Sequence, residues 1–507
     1  MVQILTKYPY LCAMKMIIYQ VLPRLFGNRN LHPVPNGALE ENGCGKLSAF
    51  TALVLKEIRK MGFTHIWYTG LLEHATQTDY SAYGISGDDP SLVKGKAGSP
   101  YAIKDYYAID PDLTDDVTHR SAEFESLTHR THQAGLGMIM DFIPNHVAPS
   151  NHNFEPQNFC YYPDSDRRVY DYEWTDTVKL NYTNHDTWLK MRDILLFWAS
   201  KKVDGFRCDM AEMVPVEFWE WVIPQIKNRY PDVIFIAEVY NPLQYRDFIY
   251  RGKFDYLYDK AGLYEALRNV VTGSLPAEAI TGCWQAVNDI QPNLLNFLEN
   301  HDEQRIASDF FAGNPVLARP ALAVAAMMNI NPFMVYFGQE SGERGMDEEG
   351  FSGRDGRTTI FDYWSLPAFR NEPSDEQKAL RKYYTKILRL CNESKAVREG
   401  LFYDLMYVNL QKEYFNSSKQ YAFMRYAEDE LVLAVANFDD KPVDVRVWIP
   451  AHAFDCFGIQ DKQIESVKNL LTHRKCSADL KCNSLYPLSI PANDAAIIRF
   501  GLQNKDA

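Results

Sequence analysis

The stretch GFRCDMAE at residues 205–212 decides the predicted fold, because it ends the apolar run 203–208 with two charged side chains. If the run is a β-strand, its period of two places Arg207 and Asp209 on the same face. A guanidinium beside a carboxylate lowers the pKa of the acid, so Asp209 would stay ionised. Asp209 is then either half of a structural ion pair or an anionic nucleophile. The residues at the ends of the other strands decide between the two.

Seven further apolar runs resemble this one, and helical patterns separate many of them. The eight runs cover residues 16–19, 65–69, 138–143, 203–209, 233–239, 254–258, 294–299 and 333–337. A helix is predicted over 186–201, where apolar side chains recur with the helical period. Alternating strands and helices favour a parallel sheet, and eight units predict an α/β fold of the closed (β/α)8 TIM barrel type.

The spacing of three acids agrees with such a barrel, in which one unit takes about 31 residues. Asp209 and Glu238 are 29 residues apart, which is one unit, and Asp302 follows 64 residues later, which is two. Asp141 precedes Asp209 by 68 residues, so about one unit is surplus. We assign that surplus to a small inserted domain. A second surplus, residues 73–114, is predicted to be a long loop.

Beyond about residue 394 the pattern changes to alternating or β-branched runs without helical crossovers. These runs, at 421–425, 431–436, 443–449 and 495–500, predict a C-terminal antiparallel β-sandwich. The predicted domains are therefore the barrel over 1–147 and 185–394, the inserted domain over 148–184, and the sandwich over 395–507.

Composition narrows the class of protein. A net charge of −13 over 507 residues argues against nucleic acid or an anionic membrane as partner, and it leaves the oligomeric state open. The nine cysteines are odd in number and lack C-x-x-C spacing, which is untypical of a disulfide framework or a zinc site. The first 20 residues lack the pattern of a signal peptide. A reducing, cytoplasmic location is expected.

Three acids follow predicted barrel strands, at the end where such barrels place their active sites. They are Asp209, Glu238 in FIAEVYN and Asp302 in FLENHD. Glu238 or Asp302 alone could cap a helix. Three carboxylates at one mouth repel one another, which a fold tolerates where the acids are used or bind a metal. Together they favour a functional site.

Seven segments, in order, resemble the α-amylase family, glycoside hydrolase family 13. Four are similar to its signature segments: DFIPNHV at 141–147, GFRCDMAE, the Glu238 segment and FLENHD. Supporting segments are GFTHIWYTG at 62–70, VKLN at 178–181 and NPFMVYFGQE at 331–340. The resemblance implies the barrel, the inserted domain and the C-terminal sandwich.

The resemblance also implies roles for the three acids. Asp209 would be the nucleophile, Glu238 the general acid and base, and Asp302 the acid that holds hydroxyls of the distorted sugar. The chemistry agrees, because a retaining glycosidase needs one ionised and one protonated carboxyl. Arg207 would keep Asp209 ionised, and crowding by two anions would raise the proton affinity of Glu238.

Other residues are assigned by resemblance alone. His146 and His301 would donate hydrogen bonds to the reacting sugar, and Tyr101 would stack on it. Asp141 and Asn145 would hold the end of the third strand. The histidines lack metal-ligand spacing, which argues against zinc.

The sequence departs from the family at several positions. Ser99-Pro100 replaces the usual His-Gly before Tyr101, and Gly70 replaces a proline. Lys179 stands where the family has a calcium aspartate, and Glu212-Met213 replaces the Lys-His after the nucleophile. An ammonium could replace the charge of the cation, so neither calcium nor another cofactor is expected.

The predicted function is an α-amylase-type enzyme: a retaining glycoside hydrolase cleaving α-glucosidic bonds, foremost α-1,4 bonds, in starch-type glucans or maltooligosaccharides by double displacement. An alternative is a transglycosylase acting on the same substrates, which differs only in whether water or a sugar resolves the intermediate. The alternative from another class is a non-catalytic carbohydrate-binding or transporter-accessory relative, although such relatives usually lose acids that this chain keeps. The short insert and the glycine-rich loop 84–98 predict that short maltooligosaccharides are better substrates than starch.

Overall fold

A computed structural model describes residues 14–345, 359–370, 372–459, 462–473, 476–477 and 479–504. Eight of the described strands close a parallel barrel, each hydrogen-bonded to the next along the chain and the last to the first. They are β1 (Ile17–Val21), β2 (His65–Tyr68), β3 (Gly137–Phe142), β4 (Gly205–Cys208), β5 (Ile234–Ala237), β6 (Tyr256–Tyr258), β7 (Leu294–Phe297) and β8 (Phe333–Tyr336). All eight predicted strands are confirmed.

Helices follow each strand and cover the outside of the barrel. They are α1 (Ala52–Lys60), α2 (Arg120–Gln133), α3 (His185–Ser200), α4 (Val216–Arg229), α5 (Tyr245–Tyr250), α6 (Glu265–Val271), α7 (Arg319–Met327) and α8 (Asp375–Glu393), with a further helix at Ala279–Ala286. The predicted 186–201 helix is α3. Buried side chains such as Ile18, Trp67, Ile139 and Met334 fill the barrel interior, so its centre is a packed core.

The segment 73–114 is more ordered than predicted. The long loop expected there contains the seven-residue strand Ile103–Ile109, which pairs antiparallel with Leu72–His74. The register of this pair is irregular, which interrupts the alternation of apolar and polar side chains. The pairing was therefore not predicted from the sequence. Within the predicted insert, His146–Val147 pairs with Val178–Lys179 at its base.

The chain ends in antiparallel β-structure, as predicted. Five strands form one sheet in the order β9 (Leu401–Asp404), β10 (Gln420–Ala427), β11 (Glu430–Asn437), β15 (Asp494–Asn504) and β13 (Lys462–Asn469). A second sheet pairs β12 (Val443–Ile449) with β14 (Ser484–Ile490). The predicted fold class is confirmed. The domain boundaries stay a prediction.

Within the described ranges, no helix has both the length and the apolar character needed to cross a membrane. Residues 1–13, on which much of the expectation about a signal peptide rests, lie outside the described residues.

Candidate active site

Three carboxylates meet at the C-terminal end of the barrel. Asp209 directly follows β4, Glu238 directly follows β5, and Asp302 lies in the segment after β7. All three line one cleft of about 600 Å³, together with Tyr101 and His146. The parallel barrel brings these positions together because every strand ends at the same rim.

The Arg207 guanidinium connects the acids. It is fully buried inside the barrel, where its Nη1 lies 2.6 Å from Asp209 Oδ1 and 3.6 Å from Asp141 Oδ1. Its Nη2 lies 2.7 Å from Glu238 Oε1, and its Nε donates to Tyr258 Oη at 3.2 Å. One cation therefore faces three carboxylates, whereas the sequence predicted a single pair.

Burial changes the acidity of this cluster. It raises the pKa of Asp209, and the ion pair with Arg207 and a hydrogen bond from Glu238 oppose that rise. The expectation that Arg207 simply depresses the pKa of Asp209 was incomplete, because burial is the larger effect. Burial also raises the pKa of Glu238, with nearby Asp209 adding to the rise. Burial, followed by the charge of Glu238, places the pKa of Asp302 well above its ordinary value.

Both oxygens of Glu238 are held. The backbone N–H of Met210 donates to Oε2 at 2.7 Å, and the hydroxyl of Tyr240 donates to Oε1 at 2.5 Å. Met210 has a φ of 42°, a left-handed backbone conformation that residues other than glycine rarely adopt. This strained turn after Asp209 directs the N–H of Met210 towards Glu238. Glu212 Oε2 accepts hydrogen bonds at 3.0 Å from the backbone N–H groups of Tyr240 and Asn241. Glu212, one of the departures from the family pattern, thus helps to position the segment that carries Tyr240.

His301 belongs to a directed hydrogen-bond chain. Gln20 Nε2 donates to its Nδ1 at 2.8 Å, so the ring proton lies on Nε2. Nε2 lies 2.5 Å from Tyr101 Oη and 3.2 Å from Asp302 Oδ2, and the Tyr101 hydroxyl donates to Asp141 Oδ1 at 3.5 Å. Burial, aided by Arg207, holds the pKa of His301 well below 6.5. The imidazole is therefore a neutral donor at the cleft.

His146 lies at the base of the insert, where His146–Val147 pairs with Val178–Lys179. Its Nε2 is 3.8 Å from Asp209 Oδ2, and burial lowers its pKa to about 4. Its ring is 5.4 Å from that of Trp174, which in turn is 5.0 Å from Tyr172. Both of these aromatic side chains of the insert line the cleft, and Tyr172, which is 71% exposed, is accessible to a ligand.

The departures at Gly70 and Pro100 are connected. The Gly70 N–H donates to Asp141 Oδ2 at 3.0 Å, and a proline has no N–H for that bond. A Cβ on Gly70 would lie 2.8 Å from Pro100 Cβ, and Gly70 has a φ of 73°. Pro100 therefore requires glycine at position 70, and the bond from Gly70 helps to hold Asp141 beside Arg207.

The residues at the predicted calcium position do not fit calcium. Lys179 Nζ lies 2.7 Å from Asp171 Oδ1, and Asn145 Nδ2 donates to Asp171 Oδ2 at 2.8 Å. Two nitrogen donors thus face the one carboxylate, where calcium requires several oxygen ligands. Within the described residues, no cluster of three or more histidine, cysteine, aspartate or glutamate side chains is arranged for a metal ion.

The structure brings all seven predicted site residues together and adds others. Asp209, Glu238, Asp302, Tyr101 and His146 line the cleft, Arg207 lies beneath it, and His301 contacts Tyr101 and Asp302. Tyr240, Trp174 and Lys94, which also line it, were not singled out. For Tyr240 a signal existed, because it is two residues from Glu238. Lys94 and Trp174 lie in irregular segments without a periodic pattern.

Comparisons with known proteins identify relatives of this chain. The chain is 26% identical over 415 residues to the α-amylase MalA of Haloarcula japonica, covering 78% of this chain and 54% of that protein. It is 30% identical over 202 residues to an α-1,4-glucan:maltose-1-phosphate maltosyltransferase of Cereibacter sphaeroides, covering 37% of this chain and 32% of that protein. The chain thus spans about half or less of the length of these relatives.

The fold also occurs in a solved structure, the noncanonic maltogenic α-amylase AmyB of Thermotoga neapolitana. The TM-score is 0.71 at 21% identity, over 96% of this chain and 99% of that one. The family model for the α-amylase catalytic domain matches residues 20–176 and 167–387, which is more than half of the chain. The chain belongs to the α-amylase family.

Proposed function

We propose that this chain is a retaining glycoside hydrolase that cleaves α-glucosidic bonds, foremost α-1,4 bonds, in starch-type glucans or maltooligosaccharides. The observation that carries the proposal is the placement of Asp209 and Glu238 on one guanidinium, with Asp302 in the same cleft. Arg207 Nη1 lies 2.6 Å from Asp209 Oδ1 and its Nη2 lies 2.7 Å from Glu238 Oε1, so the two carboxyl groups are neighbours on one guanidinium. Such close spacing supports retention, since inverting enzymes keep their carboxyl groups about 6.5–9.5 Å apart to hold a water between them.

In the first step, Asp209 attacks the anomeric carbon and Glu238 donates its proton to the departing glycosidic oxygen. The raised pKa of Glu238 supports this role, because the acid must be protonated when substrate binds. Arg207 stabilises the carboxylate of Asp209 as the nucleophile. The products of the step are a covalent glycosyl ester on Asp209 and a free sugar.

In the second step, Glu238, now ionised, takes a proton from water as the water attacks the anomeric carbon. The bond to Asp209 breaks and Asp209 leaves as a carboxylate. Two inversions restore the α configuration. Asp302 accepts hydrogen bonds from sugar hydroxyls, and Nε2 of His301 lies 3.2 Å from Asp302 Oδ2, beside that carboxyl group.

A transglycosylase remains the second candidate, because a sugar hydroxyl can replace water in the second step. The similarity of this chain to a maltosyltransferase supports this candidate. The exposed face of Tyr172 beside Trp174 supports it too, since an acceptor sugar stacks on such rings. A non-catalytic carbohydrate-binding or transporter-accessory protein is disfavoured because all three acids and Arg207 are in place.

Products from maltoheptaose and panose, separated by chromatography, test the proposal. We expect maltoheptaose to yield shorter maltooligosaccharides. The products from panose show whether the α-1,4 or the α-1,6 bond is cleaved. NMR should show that the first-formed product is the α-anomer. Asp209→Ala should lower the rate by several orders of magnitude. Asp309→Ala, an exposed acid outside the cleft, is the matched control. Products longer than maltoheptaose would establish transglycosylation, and no turnover of either sugar would reject both candidates.

A further inference from the structure

A second cavity, of about 830 Å³, lies between the barrel and the C-terminal sheet. Gln291 and Ile330 line it, and these residues precede β7 and β8. The catalytic acids instead follow their strands, so the second cavity lies at the opposite end of the barrel. It cannot be an extension of the cleft that binds the reacting sugar.

Aromatic rings form much of this cavity. Trp284 comes from the helix Ala279–Ala286, whereas Phe402, Tyr403 and Tyr407 come from β9 and the residues after it. Trp284 and Phe402 are in edge contact at 5.1 Å, and Tyr407 is 54% exposed. Exposed rings of this kind stack on the apolar faces of flat ligands, including sugar rings.

Four amide side chains also line the cavity: Gln285, Asn288, Gln291 and Asn329. Asn329 is 7% exposed, and its Nδ2 is buried without a hydrogen-bond partner. Amides both donate and accept, which matches the hydroxyl groups of a sugar.

Asp404, Arg425 and His452 line the cavity, and all three are bonded within the protein; His452 Nδ1 lies 2.8 Å from Tyr403 Oη. Asp404 Oδ2 accepts hydrogen bonds from Thr281 Oγ1 at 2.7 Å and from Trp284 Nε1 at 2.8 Å. Arg425 donates to backbone carbonyls, including those of Met328 and Gly400, both at 2.6 Å. Neither charge is left to select an ionic ligand, so the lining favours a neutral, hydroxyl-rich one.

We propose that this cavity is a second carbohydrate site that binds a short α-glucan segment without cleaving it. The sugar stacks on Tyr407, and its hydroxyl groups form hydrogen bonds with the amide side chains that line the cavity. The identity of the sugar rests on the proposed function, whereas the preference for a neutral polyhydroxylated ligand rests on the lining alone. A volume of this size is within the range of small-molecule sites.

Hydrogen–deuterium exchange with maltoheptaose tests the site in the inactive Asp209→Ala protein. We expect slower exchange in peptides that cover 279–286 and 401–407. When Tyr407→Ala is added to Asp209→Ala, we expect the same protection to require roughly ten times more maltoheptaose, because the stacking surface is lost. Tyr83→Ala is the matched control, since Tyr83 is equally exposed at 54% and does not line the cavity.

The same experiment separates the two proposals. Protection at the cavity that Tyr407→Ala removes and Tyr83→Ala preserves supports the second site, whatever happens at the cleft. Unchanged exchange in 279–286 and 401–407 at saturating maltoheptaose overturns it, even when peptides at the cleft are protected. Failure of the proposed function is read independently, as absence of turnover in the unmutated protein.

Discussion

At the scale of single residues, the protonation of Glu238 is a balance of opposing effects. Burial and the charge of Asp209 raise its pKa, whereas Arg207, the Tyr240 hydroxyl and the Met210 N–H lower it. The acid must be protonated for the first step and ionised for the second. Its neighbours therefore tune the pH range of activity as well as hold its geometry.

Tyr240→Phe tests this balance by removing one donor. The hydroxyl stabilises the ionised form of Glu238, so its loss raises the pKa of Glu238. Glu238 then stays protonated to higher pH, and the basic limb of the kcat/KM profile should move to higher pH. The measurement is a pH profile of kcat/KM on maltoheptaose.

Tyr250→Phe is the control, because Tyr250 is an exposed residue of α5 outside the cleft. Its profile should match that of the unmutated protein. A basic limb that stays in place or moves to lower pH in Tyr240→Phe would show that the hydroxyl does not govern the acid.

The sequence identified the three acids because each follows a recognisable strand. It could not give their acidity, since burial by residues distant in sequence sets the pKa values. Nor could it show that Gly70 and Pro100 compensate each other, because their contact arises only when the strand Ile103–Ile109 folds back onto Leu72–His74.

At the scale of elements, the strand pair His146–Val147 and Val178–Lys179 carries Lys179 to Asp171. The ammonium supplies positive charge at the position where the resemblance implies calcium. We therefore predict that a chelator leaves both the melting temperature and the rate unchanged. Thermal unfolding and maltoheptaose hydrolysis, each with and without EDTA, measure this.

Lys179→Ala provides the comparison for the chelator experiment. It should lower the melting temperature in calcium-free buffer, because Asp171 loses its cation. A large loss of stability or rate on chelation of the unmutated protein, restored by added calcium, would show that the insert binds the metal after all.

The glycine-rich loop 84–98 reaches the insert across the cleft. Lys94 Nζ lies 3.0 Å from Asp176 Oδ1, and the carboxylate is almost fully buried. Both residues line the cleft, so the ion pair connects the loop to the insert at the wall of the cleft. This contact supports the prediction that short maltooligosaccharides react faster than starch.

Opening the contact should relax that preference. In Lys94→Ala/Asp176→Asn, which leaves no unpaired buried charge, the ratio of kcat/KM for starch to that for maltotriose should rise several-fold. Lys96→Ala, a change in the same loop outside the cleft lining, should leave the ratio unchanged. An unmutated protein that already releases reducing ends faster from starch than from maltotriose, at equal bond concentration, contradicts the prediction.

At the scale of the whole molecule, one property of the sequence predicted most of the architecture. Buried parallel strands are continuous apolar runs, and their repeated alternation with helices has few structural solutions. The cavity between the barrel and β9 could not be foreseen, because its walls come from segments more than 100 residues apart, such as Trp284 and Tyr403. Contacts of this kind depend on how the C-terminal sheet docks.

The central claim is that Asp209 is the nucleophile of a retaining glycosidase, and a trapped intermediate tests it most directly. Glu238→Gln removes proton donation, yet an α-glucosyl fluoride needs little protonation to depart. The ester should form and persist, because the amide cannot activate water. Mass spectrometry of the peptide containing Asp209 should show one added hexose. Label on Asp302 or another acid, or β product by NMR from the unmutated protein before mutarotation, would contradict the account.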